Sequence, residues 1–332
     1  MTHDGDHNRG PFTDDPIAHA EVWPGMSVGE LARAYGNAGI GAADLHEAVS
    51  ITARMFDNDV SVFLGLSGAM VPGGMGRVVT QLIEEGLLDA VVTTGATLTH
   101  DTIEAIGGAH HHGHATDRGP VERDHDEALR EAGVDRIYNV YLPQEHFAAF
   151  ERHMRSEVLP SLSGAVPIHE LTRELGLANA RVTEGHHPGI AAVAAAHDVP
   201  VYCPAVEDSI LGIQAWMYSQ LNDFSLDPLA DMTHLNDLAT ESTPAGALVV
   251  GGGVPKNFVL QARLVTPEAY QYGVQLTMDP PATGGLSGAT LNEARSWGKI
   301  APDGENATVY GDATITFPLV VAAAREWLDH AD

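Results

Sequence analysis

From about residue 28 onward, short apolar runs rich in β-branched residues alternate with stretches whose apolar positions repeat at helical spacing. The runs at 60–64, 90–93, 137–141, 199–202, 247–250, 273–277 and 308–310 predict strands. Between them, 41–55, 77–85, 101–106, 144–155, 188–196, 209–220, 256–263 and 318–327 predict helices. Strands alternating with helices imply βαβ units and a mostly parallel sheet. Ala90-Val91-Val92-Thr93 is apolar on both faces, as befits a central strand covered by helices on each side. The pattern therefore predicts an α/β fold, a Rossmann-like doubly wound sheet in a single domain over 23–332. Two stretches depart from it. Residues 1–22, rich in His, Asp, Gly and Pro, read as a flexible arm, and 107–126 as a polar, loop-like insert.

In a doubly wound sheet the ligand sits beyond the carboxyl ends of the strands. Three glycine-rich turns fall there: 64–74, which holds Gly68 and Gly73; Thr93-Thr94-Gly95; and Gly251-Gly252-Gly253. Each follows a predicted strand and precedes a predicted helix, so free backbone N–H groups can face a phosphate or a ribose. None has the G-x-G-x-x-G spacing. Taken singly, each is explained as a tight strand-to-helix corner; three at one sheet edge point to a large ligand. Asp208 and Asp312 each follow a predicted strand. A carboxylate there accepts hydrogen bonds from ribose hydroxyls or caps the next helix, and for Asp312 the two readings weigh equally.

Composition narrows the chemistry. Against 45 Asp and Glu stand 17 Lys and Arg, a net charge of −28. So few cations cannot neutralise a run of phosphates, which excludes nucleic acid and an anionic membrane surface as partners. The acid is spread along the whole chain, as on a surface adapted to high salt. Only two of the basic residues are lysines, Lys256 and Lys299. Arginine is not deprotonated in proteins, so a lysine kept in such a background marks chemistry that arginine cannot do, such as forming a Schiff base. The single cysteine, Cys203, rules out an intramolecular disulfide and fits a reducing compartment. The polar amino terminus and the lack of any long apolar run fit a cytoplasmic protein.

Lys299 lies in Ser296-Trp297-Gly298-Lys299-Ile300. To attack at neutral pH it needs a lowered pKa, which burial beside Trp297 would provide. Glu293 could hold a cationic amine, and Trp297 could stack on that cation or on its alkyl chain. The plainer readings are a solvated helix face and a core aromatic. His110-His111-His112-Gly113-His114, with His100 nearby, invites a metal. Successive residues do not converge readily on one ion, and neither H-E-x-x-H nor a cysteine pair is present, so a solvated loop is expected and no metal.

The run Gly288-Ala289-Thr290-Leu291-Asn292-Glu293-Ala294-Arg295-Ser296-Trp297-Gly298-Lys299-Ile300 resembles the active-site segment of deoxyhypusine synthases. The match continues through Val309-Tyr310-Gly311-Asp312-Ala313 to Leu319, through Gly251-Gly252-Gly253, Val92-Thr93-Thr94-Gly95, Phe63-Leu64-Gly65 and Pro200-Val201-Tyr202-Cys203-Pro204-Ala205. It runs from about residue 25 to the end, and Thr97-Leu98-Thr99-His100-Asp101 looks like the archaeal branch. The resemblance implies a Rossmann-like fold and a homotetramer of two tight dimers, with NAD-binding active sites at the dimer interface. It implies that spermidine gives hydride to NAD, that the resulting imine is taken by Lys299, and that a 4-aminobutyl group then passes to a lysine of translation initiation factor 5A. Glu293, Trp297, Ser287, Asn257 and Gln261 match the amine site. Gly68, Gly73, Thr93, Thr94, Gly95, Asp208, Gly252, Gly253, Asp312 and Ala313 match the cofactor site.

Some positions differ from the eukaryotic pattern. Ile213 and Leu286 stand where it has carboxylates, Asn257 replaces a histidine, Gln261 an asparagine and His100 a glutamate; Gly68, Ala69 and Gly73 replace polar residues. Two lost carboxylates leave a different donor open, such as agmatine or putrescine, or a small-amine acceptor as in homospermidine synthase. An NAD-binding regulatory oligomer without turnover and a metal hydrolase built on the histidines are the readings from other classes.

Overall fold

Ser61–Leu66 (β1), Ala90–Val92 (β2), Val201–Tyr202 (β3), Ala245–Val250 (β4), Tyr270–Thr277 (β5) and Ile300–Tyr310 (β6) form one sheet. The computed structural model describes residues 16–57, 59–114, 123–183 and 187–329. The strands lie in the order β6-β5-β4-β1-β2-β3, and every neighbouring pair is parallel. Read from the other edge this is 3-2-1-4-5-6, the doubly wound order of dinucleotide-binding folds. The winding order reverses between the parallel β1 and β4, which makes the ends at Leu66 and Val250 the switch point where doubly wound sheets bind ligands. The residues of these two strands are almost wholly buried, because helices cover both faces.

One face carries Val62, Leu64, Leu66, Leu248 and Val250 and packs under helices that include Gly41–Met55, Gly76–Glu84 and Ala313–Asp329. The other carries Phe63, Ala245, Ala247, Tyr270 and Ile300. It is covered by Pro228–Glu241, Gly253–Gln261 and Leu291–Ser296. This second layer pairs the small Ala245 and Ala247 with the large rings of Phe63 and Tyr270.

The predicted strands and helices recur with shifted ends, and several corrections have local causes. The strand expected over 137–141 is a hairpin, Val134–Ile137 against Val140–Pro143, with Ile137 opposite Val140. Tyr138 takes a left-handed φ of 54°, so the Tyr138-Asn139 pair turns the chain instead of extending it. The insert over 107–126 is not all loop. His111–His112 adds a short antiparallel strand to that hairpin, and the helix Arg123–Glu131 begins inside it; 115–122 lie outside the described residues. The last helix starts at Ala313 rather than 318, because Asp312 caps it upstream and Pro318 falls inside. Gly164–Pro167 and Phe224–Asp227, a separate parallel pair, carry no alternation that the sequence offered. The helix Val28–Tyr35 was also missed, although Ser27 and Glu30 form a capping box. Of the expected arm, 1–15 lie outside the described residues; 16–22 are exposed and neither helix nor strand, with Ala18 N–H donating to Asn37 O at 2.9 Å.

Candidate active site

The three glycine turns lie where the pattern placed them, each between a strand of the sheet and a helix. Thr93 Oγ1 donates to Leu66 O at 2.9 Å, which ties the end of β2 to the end of β1. Thr94 caps the helix Gly95–Ala105 by accepting from Thr97 N–H. A Cβ on Gly95 would fall 2.2 Å from Ser209 Oγ, so this turn touches the segment that carries Asp208. A Cβ on Gly73 would meet Ala69 O and Thr314 Cγ2, so the first turn touches the 312–314 corner. Five of the expected cofactor segments therefore converge on one sheet edge. Asp208 and Asp312 are both exposed there. Asp312 Oδ1 accepts from Thr314 N–H at 2.8 Å, so the capping role is the one its carboxylate makes in this chain.

The third turn differs from expectation. Its amides are not free: Gly252 N–H donates to Ser67 Oγ at 2.8 Å and Gly253 N–H to Ser287 Oγ at 3.0 Å. Hydroxyls satisfy the start of the helix Gly253–Gln261 and lock the turn to two loops. Open space instead lies at Gly68 and Gly253, both at positive φ, where a Cβ would meet no atom within 4 Å.

Lys299 is set by a helix end. Thr290 caps Leu291–Ser296 by accepting from Glu293 N–H. At the other end Gly298 turns left-handed at φ 71°. Gly298 N–H donates to Arg295 O, and Lys299 N–H to Ala294 O at 3.0 Å. That is the paired bonding of a Schellman stop, which wants glycine at its left-handed position. The turn delivers Lys299 to the start of β6, on the face covered by Gly253–Gln261. Its Nζ donates to Asn257 Oδ1 at 3.3 Å. The group is half-buried, and that burial holds its pKa below the ordinary lysine value.

The remaining expected amine-site residues divide. Ser287 and Asn257 are brought to this place. Gln261 sits one turn beyond Asn257, exposed, with no side-chain bond to Lys299. Glu293 is exposed, and its charge reaches the Lys256 ammonium. Trp297 does not bury Lys299: it is 66% exposed, because the Schellman turn leaves its ring on the outer side of the helix end.

Pattern reading missed Lys256 as a buried group. It is only 2% exposed, and its Nζ donates to Gln275 Oε1, Leu286 O and Ala289 O. The signal was its retention as one of two lysines. Missed too was a polar cluster at the opposite end of the sheet: Asp231 Oδ1 accepts from His169 Nδ1 at 2.7 Å, and His169 stacks on His234 at 4.3 Å, which pairs with Tyr202 OH. Cavities beside it lie at the amino ends of β2 and β3, away from the glycine turns. The histidine run holds a chain of its own, with Glu104 and His100 bonded to the two ring nitrogens of His110. Among the described residues, no three His, Cys, Asp or Glu side chains converge on a metal position.

A family model described as deoxyhypusine synthase matches residues 30–324. The chain belongs to the deoxyhypusine synthase family. "Probable deoxyhypusine synthase 1" of Methanosarcina acetivorans is 45% identical over 311 residues, 93% of this chain and 94% of that one. "Probable deoxyhypusine synthase" of Methanothermobacter thermautotrophicus is 39% identical over 316 residues, 93% and 97% of the two chains. Among solved structures, a protein of Entamoeba histolytica described by the name deoxyhypusine synthase superposes with a TM-score of 0.59 at 17% identity, over 90% of this chain and 93% of that one. That likeness speaks for the fold alone. As a deoxyhypusine synthase family member the chain is a transferase, and the S-W-G-K segment sits on the Schellman turn just described.

Proposed function

We propose that this chain moves a 4-aminobutyl group from a polyamine, through an imine on Lys299, to a lysine of translation initiation factor 5A. The observation that carries the reading is Lys299 itself: half-buried, shifted toward its neutral form, and held beside Asn257 at the end of a glycine-dependent turn. A neutral amine is the form that attacks an imine carbon, so lowering the pKa raises the reactive fraction at neutral pH. The bond to Nζ forms as the bond to the donor's other nitrogen breaks, and the remaining amine leaves with the proton Nζ gives up. Asn257 Oδ1 accepts from Nζ and so orients the amine across the helix Gly253–Gln261. Glu293 offers a carboxylate to the cationic end of the donor, and the exposed Trp297 ring can cover it.

NAD fits the carboxyl edge. The strand order, the open space at Gly68 and Gly253, and the exposed Asp208 and Asp312 at one edge support this reading. Thr93, Thr94, Gly95, Gly73, Gly252 and Ala313 line the same edge in this reading. When bound, NAD supplies the hydride acceptor for the donor amine and the reductant for the transferred imine. A homotetramer with sites at subunit boundaries accounts for Ile213, Trp216 and Met217, all exposed on one helix, and for exposed Leu286, Met278 and Trp297 near the pocket. No helix of the described residues is long and apolar enough to cross a membrane, in keeping with action in the cytoplasm.

The test is direct. The protein is incubated with NAD and spermidine, reduced with borohydride, and the adduct located by mass. Adduct on Lys299 followed by label transfer to initiation factor 5A is the expected result; absence of any Lys299 adduct with spermidine, agmatine or putrescine would refute it. Lys299→Arg should fold and bind NAD yet lose transfer. A second reading has its own observation: Ile213 and Leu286, 48% and 44% exposed, are apolar where the eukaryotic pattern has carboxylates. It has agmatine as donor or a free diamine as acceptor, and the same amine panel decides it.

A further inference from the structure

The two lysines of the chain are near enough for their charges to interact. They leave different helix ends and belong to different elements, yet the Lys256 ammonium is disfavoured first by burial and then by the charge of Lys299, and favoured by that of Glu293. Lys256 is fully enclosed in a helix whose next residue, Asn257, holds Lys299.

The bonds around it form a hub. Lys256 Nζ donates to Gln275 Oε1 at 2.9 Å, to Leu286 O at 3.2 Å and to Ala289 O. Gln275 is completely buried in β5. With its oxygen turned to the ammonium, its Nε2 faces the other way and donates to Gly251 O at 3.0 Å and to Ser287 O at 2.8 Å. An amide has one acceptor end and one donor end, so the lysine decides which way Gln275 points. Ser287 in turn accepts from Gly253 N–H. One ammonium thus orders the 286–289 backbone, the Gln275 amide and the glycine turn.

We infer that Lys256 is a positioning residue for the amine site, fixing the 286–289 segment and the Gly251–Gly253 turn in front of Lys299. The inference rests on Lys299 being the nucleophile. It also accounts for a lysine that the composition left unexplained. Three acceptors from three places converge on one nitrogen, and a tetrahedral ammonium meets them. A planar guanidinium, whose donors lie in a fixed fork, does not.

The experiment uses the full-length protein with NAD and spermidine, and reads borohydride-trapped adduct on Lys299 against amine concentration and pH. Wild type is read first: no adduct there overturns the nucleophile reading and is separate from any result on Lys256. With wild-type adduct in hand, Lys256→Met should lower the rate at saturating spermidine on the order of 100-fold, as misplacement of a reacting group does. Its pH midpoint should also move upward, because a neighbouring positive charge no longer opposes protonation of Lys299. Lys256→Arg, which keeps the charge and not the donor geometry, should hold the wild-type midpoint and still lose rate. Gln275→Leu should lose rate with no shift in midpoint, and it serves equally if Lys256→Met does not fold. A rate within about twofold of wild type in Lys256→Met or in Lys256→Arg overturns the inference.

Discussion

Gly298 shows how one residue without a side chain can place one that reacts. Its φ of 71° is the reason that Lys299 leaves the helix Leu291–Ser296 and enters β6. Gly298→Ala should cost about 1 kcal/mol, the usual penalty of a left-handed non-glycine residue. Thermal melting would show that loss, and adduct formation on Lys299 should fall further than stability does. A variant with normal adduct yield would mean that the turn does not aim the lysine. At this scale the sequence was partly legible. The lysine stood out because the chain has only two, and its glycine neighbour was visible beside it. The environment of Trp297 was not legible: a ring in an apolar-looking motif suggested burial, and the handedness of the turn put it outside. Lys256 was legible as an anomaly but not as a hub, because its three acceptors come from residues 275, 286 and 289, and no spacing in the chain announces them.

Among the elements, the apolar strands of the sheet were found, whereas two long helices, Ile168–Val182 and Pro228–Glu241, and the short or interrupted pieces were not. The strands β1, β2 and β4 declare themselves by apolar runs buried on both sides. The hairpin at 134–143 reads as one strand because the Tyr138-Asn139 turn lacks glycine. The glycine turns were placed correctly in the chain, but what their amides do was not foreseen: at Gly252 and Gly253 the partners are hydroxyls from loops that precede and follow by many residues. That interlock is testable. A Cβ on Gly252 would lie 2.5 Å from Ser287 Cβ. Gly252→Ala should therefore destabilise by roughly 1–3 kcal/mol, as overpacking does. Combining it with Ser287→Gly should recover part of the melting temperature. If the double variant is no more stable than the single, the two loops do not press on each other as described.

For the whole molecule, charge and titration set the conditions of stability. With a net charge of −28, self-repulsion opposes the compact state, and dissolved salt screens it. Raising salt from about 0.1 M to about 2 M should raise the melting temperature; a flat or falling response would count against a surface adapted to high salt. Titration acts in the other direction. Burial pushes His100 down to about 4 and also lowers His153, His187 and His234. Such a histidine takes up its proton more readily when unfolded, so the unfolded state gains as pH falls below the ordinary 6.5 toward 4. Buried Asp101, raised to about 7, pulls the opposite way, so the comparison to make is wild type against His100→Asn. Between pH 6.5 and 4 wild type should lose the greater stability; parallel melting curves would show that His100 titrates alike in the folded and unfolded states.

Having only two lysines, at 256 and 299, gives the protein a built-in reporter. Once the chain is denatured, an endoproteinase that cuts after lysine would release 1–256, 257–299 and 300–332. A reduced adduct on Lys299 abolishes the second cut and leaves 257–332 intact, whereas modification of Lys256 would fuse the first two pieces instead. A single stained gel could then distinguish which of the paired amines had been used, and how often.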